Sequence, residues 1–230
     1  MAAKSLNENC PTDGGTAEKI HPELFNDMPH ARNLIKTWFE GAEQKLSVAK
    51  PNVFEAFIYA WIAVNGWAAC CTECSDAGPP RDSALVLAMA ADNTLRGVFN
   101  RLLKDDDYRR VATEFYEQWP IFNAGELRHA KLAPPSKTLS RRKIVDHYRA
   151  DDRQFQRAPR CYYRRHSNEK DGRCPLDWEH AVWAIYQVRC NLFHGEKAAH
   201  SEEDKAIIAA ALSTLLPVFK KIMLGEWTGE

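Results

Sequence analysis

The sequence predicts an all-α domain: a bundle of four to five long helices carrying an irregular, basic helical insert. Three observations lead there. Apolar residues recur with the 3.6-residue period of a helix over several long segments. No run of alternating apolar and polar residues reads as a strand. One stretch, at about 121–175, breaks the periodicity with proline, glycine and dense positive charge.

Taken in order, residues 1–28 read as a flexible N-terminal tail and 29–230 as a single helical domain. In "PHARNLIKTWFEGAEQKL", Leu34, Ile35, Trp38, Phe39, Ala42 and Leu46 form an apolar stripe. Pro51 ends that helix. The next, from about Val53 to Cys74, is apolar almost all round and suits the centre of the core. The loop "SDAGPPRDS" offers Asp82 or Ser83 as a cap for one long helix, "ALVLAMAADNTLRGVFNRLLK". Its inner residues are Leu85, Ala88, Leu95, Val98, Phe99 and Leu102. "YRRVATEFYEQWP" is a further helix, ending before Pro120. After the insert, "PLDWEHAVWAIYQVRCNLFHG" resumes the helical period. Asp177 is its N-cap, Trp178, Val182 and Ile185 its inner stripe, and Gly195 its C-cap. The last helix runs from about Ser201 to Met223, with an acidic first turn and a proline at 217.

Composition bounds the function. The 230 residues are 45% apolar and include seven Trp, enough to bury a substantial core. The most apolar run, "FEAFIYAWIAVNGWAACC", is interrupted by Glu55 and Asn65, so no membrane partner is expected. The first residues lack the apolar region of a secretory signal, and with seven Cys the expectation is reduced thiols in a cytoplasm. The formal net charge of zero conceals a division. Residues 128–173 hold 14 Lys+Arg against 5 Asp+Glu, and the rest of the chain carries the compensating acidic excess. Such a concentrated basic segment suits a polyanion such as RNA.

The stretch that concentrates chemistry is "IYQVRCNLFHGEK", residues 185–197. It sets Arg189, Asn191 and His194 in the last turns of an otherwise apolar helix. An Arg-x4-His spacing alone says little, since chance supplies about 0.6 such pairs in a chain of this composition. Arg142 and His147 share the spacing, and Arg160 and His166 lie one residue further apart. The position at a helix end, the intervening Asn191 and the following Gly195 set the 189–194 pair apart. Its residue types suit cleavage of RNA by its own 2′-hydroxyl. Histidine titrates near neutral pH and can move the protons. Arginine offers a permanent charge and a planar fork to the phosphate. Asparagine can donate to a phosphate oxygen or orient the imidazole. On a straight helix Arg189 and His194 point about 140° apart, whereas Gln187, Asn191 and His194 share a stripe. The pair needs a bent last turn or a second chain to converge.

"YQVRCNLFHGEK" resembles the Arg-x(4–6)-His signature of the HEPN superfamily (higher eukaryotes and prokaryotes nucleotide-binding). The resemblance covers residues 177–197, extends to the helices at 30–75 and 201–223, and is essentially absent over 121–175. It implies an all-α four- or five-helix bundle. It also implies a metal-independent endoribonuclease of toxin–antitoxin, abortive-infection or CRISPR-associated type, with Arg189, Asn191 and His194 as catalytic residues. In that family two copies of the motif meet across a two-fold axis, which implies a homodimer here. Other members have lost the motif and only bind, so the alternative is a non-catalytic helical module for nucleic acid or a protein partner. An antitoxin or regulatory protein is a further expected partner. This chain departs from the family pattern in one respect: Cys190, not an asparagine, follows the arginine directly.

Within the insert, arginines alternate with aromatics, as phosphate contact and base stacking require. Arg141, Arg142, Tyr162, Tyr163, Arg164 and Arg165 are the candidate RNA-binding residues there, with Lys197 beyond the motif. A solvated charged face is the competing reading. Cys71 and Cys74 have the spacing of zinc ligands, and Cys161 and Cys174 could complete a set. The spacing of the second pair is poor, so no metal and no cofactor are expected, and the thiols read as buried or idle. Glu55 and Asn65 remain as polar interruptions needing partners, either of which could line a cleft near His194.

Overall fold

The computed structural model describes residues 19–72, 80–121, 174–193 and 201–223. These residues are mostly helical, and none of them forms a strand. The all-α class predicted from periodicity is therefore what the described residues adopt. The helices are α1 (Pro22–Asn26), α2 (Pro29–Ser47), α3 (Val53–Cys70), α4 (Asp82–Ala91), α5 (Asn93–Leu102), α6 (Asp106–Tyr116), α7 (Trp178–Phe193) and α8 (Glu202–Met223).

The centre is built as the apolar α3 demands. It packs along α2 on one side and against α8 on another, with α4 following it. Ala56, Phe57, Ala60, Trp61, Ala63, Val64, Trp67 and Ala68 are all buried, and Ala69 is the one exposed residue of the helix. By length and composition α3 and α8 are both apolar enough to cross a bilayer, despite Glu55 and Asn65. Each has about half of its residues buried within the bundle. α2 approaches α3 closely at Gly41, where a Cβ would stand 2.8 Å from the ring of Tyr59. Leu34 does not join the α2 stripe and is 59% exposed. At 100° per residue it lies about 140° from Phe39, on the outer side.

Several boundaries differ from the sequence reading: α3 ends at Cys70 and not at about Cys74, and α6 runs from Asp106 to Tyr116. The segment before α2 is anchored from Ile20 onward. Ile20 and Phe25 are buried, and the His21 N–H donates to the Cys71 carbonyl at 2.6 Å. Ile20, Leu24, Phe25 and Met28 do recur at helical spacing, but over too short a stretch to stand out from the polar residues before it. The single helix expected over 84–104 is two helices, α4 and α5, divided at Asp92. Asp92 has extended backbone, and its carboxylate accepts from the Leu95 N–H at 2.7 Å, capping α5. The apolar stripe continues across the break and so masked it.

α7 is held from three sides. It packs on α4, α5 and α8. At its start the Trp178 indole donates to the Met89 carbonyl of α4 at 2.7 Å and sits beside Phe99 of α5. Asp177 caps it as expected, accepting from the His180 N–H at 2.9 Å. Trp178, Val182 and Ile185 are buried, as their spacing required. α8 is capped by Ser201, whose Oγ accepts from the Asp204 N–H at 3.2 Å, and it holds α6 through a 2.8 Å bond from the Tyr108 hydroxyl to the Thr214 carbonyl.

Candidate functional site

The last two turns of α7 place Arg189 and Asn191 in different surroundings. Two residues at ~100° each set their side chains about 160° apart around the helix. Asn191 is 3% exposed and turned into the bundle. Its Oδ1 accepts from the Gln187 amide one turn earlier at 3.0 Å. Arg189 stands at the edge, its side chain 21% exposed.

The guanidinium of Arg189 is gripped from below and from the side. Its Nη2 pairs with Oδ2 of Asp82, the first residue of α4. The other oxygen of Asp82 accepts from the Asn65 side chain of α3 at 3.2 Å. The cap expected at Asp82 or Ser83 is neither: α4 starts at Asp82 itself, with Arg81 in the cap position and no side-chain cap bond. The carboxylate is therefore committed to Asn65 and Arg189. Asn65, a polar interruption in the sequence, belongs to this cluster. Glu55 does not, being paired with Lys45 at 2.7 Å and bonded to Asn52 at the start of α3.

Aromatic rings complete the setting. The guanidinium carbon lies 4.7 Å from the Phe193 ring centre and 5.9 Å from that of Tyr186. Such cation–π contacts contribute about 0.5–2 kcal/mol, more as water is excluded. Phe193 is 47% exposed. Tyr186 is backed by Trp61 of α3 and Trp183 of its own helix. Burial, reinforced by the Cys190 thiol beside it, pushes the Tyr186 phenol up to about 12. It is a neutral hydrogen-bond donor throughout the physiological range.

Two buried polar atoms in this cluster make no hydrogen bond: Nε of Arg189 and Oδ1 of Asn65. Because Nε is unused, Asp82 does not hold the guanidinium in the side-on bidentate fork that gives an arginine–carboxylate pair its full strength. The arginine is restrained through Nη2, and its unbonded Nε is itself buried.

His194 follows Phe193 directly but lies outside the described residues, as do Lys197, Arg141, Arg142, Tyr162, Tyr163, Arg164 and Arg165. Gly195, Cys74 and Cys161 also lie outside them. Cys71 and Cys174 are both buried, and burial raises the Cys71 thiol far above its ordinary value, so it stays protonated. Among the described residues no group of three or more His, Cys, Asp or Glu could hold a metal ion. Two clefts lie away from Arg189. One, of about 660 Å³, runs between α5, α6 and α8 past Arg101, Tyr108 and Pro217. The other, of about 470 Å³, lies beside α2 and α8, past Arg32 and Lys36.

Sequence reasoning missed Asp82, Tyr186 and Phe193. An acidic residue in the first turn of a helix is favoured by the helix dipole anyway, so Asp82 gave no signal of another role. The usable signal was Asn65: an amide on an apolar helix requires a polar partner somewhere. No known protein family, curated protein or solved structure matches this chain.

Proposed function

We propose that this protein is a metal-independent endoribonuclease of the HEPN type, working at Arg189 and His194 in prokaryotic defence or toxin-type growth arrest. The observation that carries the reading is Arg189 itself. A guanidinium stands partly exposed at the end of a late core helix, with histidine five residues on in the sequence. The bundle is all-α, as that reading requires.

In the proposed reaction the 2′-hydroxyl of the RNA attacks the adjacent phosphorus. A bond forms between the 2′-oxygen and phosphorus, and the bond to the 5′-oxygen breaks. His194 takes the proton from the nucleophile or returns one to the leaving oxygen. Arg189 stabilises the charge gathering on the phosphoryl oxygens. Asn191, bonded to Gln187, assists by fixing the last turn from inside. The products are a 2′,3′-cyclic phosphate and a 5′-hydroxyl. Because a straight helix would point Arg189 and His194 about 140° apart, the proposed site is completed by a second copy of the chain, in a homodimer. The basic insert, through Arg141, Arg142, Tyr162, Tyr163, Arg164 and Arg165, and Lys197 beyond the motif, would guide the RNA. The proposed setting is the cytoplasm, with an antitoxin or regulatory protein as restraint.

A second reading draws on one specific observation, the Asp82–Arg189 pair. If that pair serves only to join α4 to α7, the chain is a non-catalytic module that binds nucleic acid or protein. His194→Ala separates the two. Loss of RNA cleavage with the fold retained supports the enzyme, and a wild type that binds RNA without cutting it supports the module.

A further inference from the structure

Resting on the ribonuclease reading, we propose that Asp82 is a positioning residue for Arg189, with Asn65 holding Asp82 in turn. The two helices that meet here, α4 and α7, are fixed to each other by the buried Trp178–Met89 bond. Asp82 therefore presents its carboxylate from a rigid support. One oxygen is taken by Asn65, which leaves the other to set where the guanidinium stands. The long arginine side chain would otherwise sample many rotamers, and Phe193 and Tyr186 limit its plane but not its reach. A structural tie would gain most from the side-on bidentate pairing, yet Nε is unbonded. The arrangement restrains the arginine through one outer nitrogen, and the side chain keeps 21% exposure toward a phosphodiester.

The carboxylate has opposite effects on the two steps. Its negative charge close to the phosphate site weakens RNA binding, while its hold on Arg189 raises the rate of the bound complex. Removing the charge must split the two quantities. A purely structural residue would move both in the same, unfavourable direction.

The test uses a 5′-labelled single-stranded RNA of mixed sequence and the full chain. Single-turnover cleavage at saturating protein gives the rate, and the dissociation constant is measured in a His194→Ala background. Asp82→Asn is expected to lower the rate roughly ten- to a hundredfold, as displacement of a charge-stabilising group does. RNA affinity should be unchanged or tighter. Asn65→Ala, which leaves both charged groups in place, should produce a smaller loss of rate with the same unchanged affinity, and serves if Asp82→Asn fails to fold. Arg189→Ala should lower both rate and affinity. Cleavage by Asp82→Asn within twofold of wild type, faster cleavage, or loss of rate and affinity together would overturn the inference alone. A wild type that cleaves no RNA would overturn the ribonuclease reading and the inference with it.

Discussion

Asp82 opens α4 and Arg189 lies one turn before the end of α7, and their side chains pair across the junction of the two helices. Both groups are only partly exposed, so neither is fully hydrated when the other is absent. Asp82→Ala should cost about 1–3 kcal/mol, the range for leaving a partly buried charged group without its partner. Arg189→Met should cost less, because its removal frees Asp82 for water and Asn65. The double variant should fall short of the sum by about 0.5–3 kcal/mol. Urea unfolding of the four proteins measures this, and strict additivity would contradict the pairing.

Trp178 ties the two helices of this junction by its bond to the Met89 carbonyl and by filling space beside Phe99. Trp178→Phe removes the donor and leaves a void. A loss of about 2–4 kcal/mol is expected in thermal or urea unfolding. A loss below 0.5 kcal/mol would mean that the junction is held elsewhere.

The bundle was legible because its inner stripes obey one period, and Trp178, Val182 and Ile185 are buried where the spacing put them. The α4–α5 break was not, since Asp92 interrupts the backbone without interrupting the stripe. In the site, Arg189 and Asn191 were selected by spacing, but spacing cannot say which neighbour each will meet. Asn191 turned to Gln187 on its own helix, a contact the shared stripe allowed. Arg189 found Asp82, more than a hundred residues earlier, by tertiary packing alone.

Asp92 supplies a pH-dependent prediction. Burial raises its carboxyl above the ordinary 3.8, against the N–H groups of Leu95 and Thr94 that favour the charged form. The folded state thus binds the proton more tightly than the unfolded chain. The resulting stability is present in full below pH 3.8 and is lost as pH rises through the higher folded value. Asp92→Asn keeps the cap and removes this titration. Relative to it, wild type should lose stability as pH climbs through that window, while Asp92→Ala loses about 0.5–2 kcal/mol of capping at neutral pH. Chemical unfolding across pH 3.5–7 checks both, and parallel curves for wild type and Asp92→Asn would refute the first.

The insert is expected to bind RNA through charge. Arg164→Glu with Arg165→Glu should weaken RNA binding and reduce the slope of log K against log salt by about 1 to 2. Fluorescence anisotropy at several salt concentrations reads this directly, and an unchanged slope would remove these arginines from the interface.

In the proposed reaction Arg189, near the end of α7, and His194 cut RNA together. Its most direct test is cleavage of end-labelled single-stranded and structured RNAs by purified protein in excess EDTA, beside His194→Ala. Cleavage should persist in EDTA, leave 2′,3′-cyclic phosphate ends and disappear in the variant. Folded wild-type dimer that leaves these RNAs intact, or a His194→Ala protein that cuts as well as wild type, would contradict it.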